Sequence, residues 1–82
     1  MKTPDRSVRL IVTCIGAPEC KVFFEPEGAI ATLLRGDVFT VDVKGPGTWI
    51  VEVSYGRGGI SIGAWSGGDT FAWDKAGNKL QV

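Results

Sequence analysis

The stretch that decides the fold of this chain runs from Asp37 to Tyr55 and reads DVFTVDVKGPGTWIVEVSY. Apolar and polar side chains alternate through its first half, stop at residues 45–47, and alternate again as far as Tyr55. A period of two places successive side chains on opposite faces of an extended strand. Glycine and proline between two such runs favour a tight turn. The stretch therefore predicts two strands joined by a turn centred on Pro46.

The same alternation continues towards the C-terminus, with turn residues at positions 57–58 and 66–67. If each pair forms a two-residue turn, the large apolar side chains of four strands all fall on one face. A shift of one residue would turn a whole strand to the other face, so this agreement supports the pairing. We therefore predict a C-terminal, four-stranded antiparallel meander from Asp37 to Asp74. Its predicted pairs are Val43 with Trp49, Val41 with Val51, Phe39 with Val53, Val53 with Ile62, Tyr55 with Ile60, Ile62 with Phe71, and Ile60 with Trp73.

The N-terminal half of the chain shows the same strand pattern. Alternation on both sides of the turn residues 15–19 predicts a first hairpin, which pairs Cys14 with Cys20, Val12 with Val22, and Leu10 with Phe24. The segment Ala29–Leu34 contains helix-favouring residues, but six residues between two glycines nucleate a helix poorly, so we predict a short strand. Residues 80–82 are a candidate last strand.

Two sheets, each with one apolar face, bury those faces best against each other. The pattern predicts an all-β fold, a small antiparallel β-sandwich or partly open barrel of seven to eight short strands. We expect a single domain over residues 1–82, with residues 1–6 as a flexible N-terminal segment.

The composition argues against several classes of function. The chain has 82 residues, no histidine, and nine basic and nine acidic residues that cancel. Histidine is the commonest general base and metal ligand, so we expect no enzyme, no cofactor and no metal site. The basic residues are scattered, which argues against nucleic-acid binding. No apolar run is long enough for a signal peptide or a membrane span, so we predict a cytoplasmic protein without membrane contact.

The two cysteines, Cys14 and Cys20, leave three alternatives open. The predicted hairpin places them opposite each other, at a distance that a disulfide can span. In a reducing cytoplasm they would instead be buried thiols, the alternative that we favour. Zinc is the least supported, because two thiolates without histidine fill half of a tetrahedral site.

Aromatic residues give the main indication of a binding site. Trp49, Phe71 and Trp73 fall on the predicted core face. Trp65 has the opposite parity and precedes Ser66-Gly-Gly68, so we expect its indole to leave the core face. There it would fold over the edge of the sandwich, contact a protein or bind a small ligand. Its candidate companions in a binding site are Asp69, Tyr55 and Arg57.

These observations predict a non-catalytic interaction or self-assembly module, with a protein partner or a second copy as its ligand and a homo-oligomer as its expected state. The alternative is a small carbohydrate- or ligand-binding β-sandwich that uses an exposed tryptophan. A flat aromatic strip on an exposed face would favour the alternative. An unpaired edge strand at a twofold contact would favour the first function.

Overall fold

A computed structural model describes residues 6–56 and 58–82, and within these ranges the chain forms seven strands and no helix. The strands form two sheets that do not close into a barrel. The predicted all-β sandwich is therefore confirmed, including the short strand Ala29–Leu34. The strands are β1 (Arg6–Thr13), β2 (Glu19–Glu25), β3 (Ala29–Leu34), β4 (Val38–Gly45), β5 (Glu52–Gly56), β6 (Gly59–Gly63) and β7 (Asp69–Trp73).

The two sheets differ in size and in strand direction. The three-stranded sheet has the order β1-β4-β7 and is antiparallel throughout. The four-stranded sheet has the order β3-β2-β6-β5, in which β2 and β6 run parallel, so this sheet is mixed and not antiparallel as predicted. Consequently the chain crosses between the sheets after β1, β3, β4 and β6.

The predicted four-stranded meander is wrong. Of its three hairpins only β5–β6 forms, with Tyr55 opposite Ile60 and Val53 opposite Ile62 as predicted. Strand β4 pairs with β1 and β7 instead of β5, and β1 and β2 belong to different sheets. Alternation specifies which side chains face inward, but a strand across the core satisfies that pattern as well as a neighbour in the same sheet. Except for β5 and β6, the strands predicted to pair as hairpins therefore lie in opposing sheets, and the predicted first hairpin of β1 with β2 is also wrong.

The core lies between the two sheets and uses Ala72 where larger residues are predicted. Val41 is fully buried and pairs with Ala72, so Ala72 faces inward and is itself fully buried. Phe71 and Trp73 consequently lie on the outer face, and their predicted place in the core is wrong. The small alanine leaves room for the larger side chains of the other strands. The buried core cluster comprises Cys14, Val22, Phe24, Leu33, Phe39, Val41, Ile62 and Ala72.

Both ends of the chain differ from the prediction. Arg6, predicted as part of a flexible segment, begins β1 and pairs with Gly45. Residues 80–82 do not form a strand, although Leu80 donates a backbone hydrogen bond to Ala72 at 2.8 Å. An isolated bridge joins Trp73 and Lys79, so the tail runs back beside β7.

Candidate functional site

Trp65 is buried, with 6% of its surface exposed, so it offers little area to a partner. Its indole leaves the core, as predicted, but folds over one end of the sandwich instead of projecting into solvent. Its Nε1 donates a hydrogen bond to the carbonyl oxygen of Pro46 at 2.9 Å. A satisfied N–H removes the usual cost of burying an indole. Of the alternatives considered for this residue, the structure therefore agrees with edge packing.

The glycines around Trp65 are the reason for its burial. A Cβ on Gly68 would lie 2.9 Å from Cε2 of the indole, and a Cβ on Gly47 would lie 2.7 Å from the carbonyl oxygen of Ser66. Gly47 also has a φ of +136°, in the range that favours glycine. The two glycines thus form walls against which the ring packs.

Trp49 closes the same end of the sandwich and is not part of a core strand. It lies in the loop between β4 and β5, with a φ of +59°, and its Nε1 donates to the carbonyl oxygen of Gly45 at 3.1 Å. The guanidinium carbon of Arg6 lies 4.4 Å from the centre of the Trp49 ring, within cation–π range. The prediction that Trp49 faces the core from a strand is therefore wrong.

A disulfide closes the opposite end. Cys14 follows β1 and Cys20 lies in β2, and their Cα atoms are 5.7 Å apart. The predicted adjacency is confirmed, but the bond joins two opposing sheets and not two strands of a hairpin. Neither cysteine is free in the structure, in contrast to the favoured thiol state. Each sulfur is bonded to the other, so neither is available as a thiolate ligand for zinc.

One side of the sandwich remains open. Tyr55 and Val53 pair with Ile60 and the buried Ile62, so both face inward, yet they are 92% and 55% exposed. Strand β5 is one edge of the four-stranded sheet, and β1 is one edge of the three-stranded sheet. Val12 of β1 lines one crevice of about 230 Å³ together with Tyr55 and Ile60, which places both edges on the same side.

Strand β5 therefore extends past β1, the last strand of the three-stranded sheet on this side. Within the described part of the chain, its inward-facing side chains have no strand opposite them. We call this surface the open side; it comprises the free edge of β1 with Val12, and Val53, Tyr55 and Ile60. Sequence reasoning named Tyr55 as a candidate binding residue but missed Val53, because alternation reports the direction of a side chain. It does not report whether a strand of the other sheet lies opposite.

The four predicted binding residues do not form one site. Tyr55 lies on the open side, Trp65 is packed into one end, and Asp69 is exposed at the start of β7 opposite Lys44. Arg57 lies outside the described residues. A ligand that contacted Trp65 would therefore not reach Tyr55 through the same cavity, since the two line different ones.

Trp65 forms part of the wall of a wide cleft of about 830 Å³ on the four-stranded sheet. Gly63 pairs with Glu25 on one side and with Glu52 on the other, so it forms a floor between two acidic side chains. Glu27 adds a third carboxylate to the lining. Within residues 6–56 and 58–82, no group of three or more His, Cys, Asp or Glu side chains is arranged to hold a metal ion. The cleft contributes negative charge to this face.

Phe71 and Trp73 form a stacked aromatic pair on the outer face of the three-stranded sheet. Their ring centres are 6.4 Å apart and their planes differ by 22°. The ammonium groups of Lys44 and Lys79 lie 5.8 and 5.2 Å from the centre of the Phe71 ring. The sequence contains both rings, but the predicted hairpin directs them inward.

An ion pair lies beside these rings. Arg9 donates from Nε and Nη2 to the two carboxylate oxygens of Asp42, at 2.7 and 2.9 Å. Asp42 is buried on this face, whereas Arg9 is largely exposed. The hydrogen bonds from Arg9 are the main reason why the pKa of Asp42 lies below its usual value of 3.8, although burial opposes the shift. The same pairing raises the pKa of Arg9.

Comparison with protein-family models, curated proteins and solved structures gives no significant match for this chain. A helix with the length and apolar character to cross a membrane is not found in the part of the chain that the structure describes.

Proposed function

We propose that this protein is a non-catalytic interaction module and that the open side is its contact surface. The observation that carries the proposal is the exposure of Tyr55 and Val53, two inward-facing side chains of the sandwich. In a completed sandwich a strand of the three-stranded sheet would cover them. The open side is therefore a place for one more strand, beside β1 and above β5.

Two kinds of interaction support a strand at this position. Among the described strands, β1 pairs with β4 alone, so the backbone groups along its other edge are available to a partner. Strand addition at a sheet edge is a recurrent mode of peptide recognition, in which the main chain supplies affinity and alternate side chains supply specificity. Covering Tyr55 and Val53 adds about 25 cal/mol for each Å² of apolar surface removed from water.

A short peptide with the sequence of residues 50–56, IVEVSYG, tests whether the open side accepts a strand. Added to β1, it would direct its valines and tyrosine over Val53 and Tyr55. We expect the backbone amide resonances of β1 to shift on titration, together with those of β5. The control peptide ISESSSG, which lacks the apolar face, should leave them unchanged. Shifts that are absent, or confined to the other sheet edges, would contradict the proposal.

A second candidate function is the binding of a small ligand on the stacked rings of Phe71 and Trp73. The observation that favours it is their position on an outer face, where flat rings can stack against a sugar or another planar ligand. Titration with soluble oligosaccharides should then quench Trp73 fluorescence in the native protein and in Trp65→Phe. No change in either would argue against a sugar ligand.

A further inference from the structure

We propose that the strand bound at the open side is β5 of a second copy of this chain. The two copies would form a twofold dimer in which β5 of each lies beside β1 of the other. This inference rests on the proposed function, because it names the partner of the open side. Three observations support it: the direction of β1 and β5, the way in which β5 of each copy fits beside β1 of the other, and the charges along these strands.

The strand directions follow from the observed pairing. Cys14 and Cys20 lie together, so β2 starts at the end of the sandwich where β1 finishes and runs in the opposite direction. Strand β6 is parallel to β2, and β5 is antiparallel to β6. Strand β5 therefore runs in the same direction as β1, in the other layer.

A twofold axis that runs along the strands, midway between the layers, makes the two edges fit. Rotation about it keeps the direction of every strand and exchanges the two layers. The second copy's β5 then enters the layer of the three-stranded sheet and lies parallel to β1. By the same rotation the first copy's β5 lies beside β1 of the second copy. A single operation thus fills both open sides, as expected of an isologous contact.

The other simple twofold arrangement fails on steric grounds. An axis perpendicular to the sheets would place the two β1 strands side by side in one layer. Because β5 projects beyond β1 in the other layer, each β5 would then occupy the space of β6 in the second copy. The overhang of β5 therefore selects the axis along the strands.

The side chains at this contact are complementary. Val53 and Tyr55 of the two copies would face one another between two completed layers. Tyr55 and Val12 line the same crevice, so they lie at the same height along the strands. Three residues before Tyr55 and Val12 on the same two strands, Glu52 is therefore level with Arg9. On the dimer surface, Glu52 of the second copy would therefore lie beside the largely exposed Arg9.

Oligomeric state in solution is the primary test. The contact comprises two strand pairs and few side chains, so we expect a weak dimer. The average mass measured by light scattering should therefore rise from that of the monomer towards that of the dimer as the protein concentration increases from about 1 µM to about 1 mM. Val53→Ser with Tyr55→Ser should make the chain monomeric over this range. The matched control is Ile30→Ser with Leu34→Ser, because these residues are also large and hydrophobic, both are 59% exposed, and they lie on the far edge strand β3. This control should dimerise as the native chain does.

Charge provides a graded test of the same contact. Glu52→Lys would place a cation beside Arg9 of the second copy and should weaken dimerisation about tenfold at low salt. Raising the ionic strength should reduce that difference. If Glu52→Lys dimerises as tightly as the native chain at low salt, the proposed height of β5 along β1 is wrong.

Cross-linking tests the geometry. Ile11 and Ser54 lie one residue before Val12 and Tyr55, on the outer faces of opposite layers of one copy. In the proposed dimer they become neighbours across the contact. Mild oxidation of the double variant Ile11→Cys with Ser54→Cys should therefore give a covalent dimer, whereas either single variant should not. A covalent dimer from a single variant would overturn the proposed axis.

The tests separate the two proposals. If the peptide IVEVSYG shifts β1 but the native chain stays monomeric throughout the concentration range, the second copy is not the partner and the proposed function survives. A dimer that persists in Val53→Ser with Tyr55→Ser uses another surface and overturns the inference. If the peptide does not bind and the chain is monomeric, both proposals are wrong.

Discussion

Trp65 at a closed end of the sandwich and Tyr55 on its open side are both large aromatic residues, yet the first is buried and the second is exposed. Trp65 follows the end of a strand, but Gly47 and Gly68 form walls on which its ring rests and Pro46 accepts its N–H. Tyr55 faces the inside of the sandwich, but the three-stranded sheet ends at β1 before it reaches β5. Exposure is therefore decided by what lies opposite a side chain, and the direction in which it points is only half of the information.

Truncation of the buried ring should have the largest effect on stability. We expect Trp65→Ala to lower the free energy of unfolding by about 3–5 kcal/mol, because it removes a large packed aromatic side chain. Dimer affinity, measured on the fraction that remains folded, should be unchanged. Trp73→Ala, which removes a partly buried indole on an outer face, is the control and should cost clearly less in a thermal melt. Equal losses would mean that the Trp65 end is no better closed than the outer faces.

The disulfide closes the other end, and its removal should have the next largest effect. We expect Cys14→Ala with Cys20→Ala to cost about 2–3 kcal/mol, since the bond closes a short loop in the unfolded chain. A reducing cytoplasm, which is the compartment predicted from the sequence, would keep these residues as thiols. Intact mass after alkylation with and without reductant reports which state is present. Alkylation without reductant would show that this end is not covalently closed.

The ion pair on the three-stranded sheet should have a smaller effect, and one that depends on pH. The pKa of Asp42 lies below its usual value of 3.8, so its stabilisation is present above that value and is lost as the pH falls through the lower folded pKa. Since Arg9 is largely exposed, we expect Asp42→Asn to cost only about 1 kcal/mol near neutral pH. Urea melts at several pH values should show this difference shrinking below about pH 4. A constant difference would contradict the assignment.

The smallest effect on stability is expected at the open side. Tyr55 is almost fully exposed, so Tyr55→Ser should change the free energy of unfolding of the monomer by less than about 0.5 kcal/mol. Measurements at low concentration are needed, because a dimer would add its own stabilisation. A loss comparable to that of Trp65→Ala would mean that Tyr55 is covered within one copy, and the open side would not exist.

The elements and faces of the fold could be predicted from the sequence, but the order of the strands could not. Alternation and turn residues place the strands, and the β5–β6 hairpin forms in the predicted register. The Gly45–Gly47 turn is equally compatible with a hairpin and with a crossing between layers, and only the second occurs. In β7, alternation allows either the pair Phe71 and Trp73 or the pair Thr70 and Ala72 to face the core. Residue size favoured the wrong choice, because core space depends on all other strands.

Of the candidate site, the sequence identified Tyr55 and the adjacency of the cysteines, but not the surface to which Tyr55 belongs. That surface arises from the unequal numbers of strands in the two sheets, a property that no local pattern encodes. The sequence left edge packing and a binding role both open for Trp65, because the glycines that bury it resemble those of an exposed turn. The walls around its ring come from two separate turns, Gly47 and Gly68, which meet only in the folded protein.

The parallel pairing of β2 with β6 has a consequence for how the chain folds. Val22 pairs with Ile60, and in the other sheet Arg9 and Asp42 meet across 33 residues of sequence. Such contacts close long loops before they contribute stability, and β-sandwiches, in which non-local contacts dominate, fold slowly, in about milliseconds to seconds. During synthesis β2 emerges well before β6, so the edge of β2 that pairs with β6 stays unpaired until most of the chain has been made. The turns can form from neighbouring residues, whereas the two sheets assemble together only when most of the chain is available.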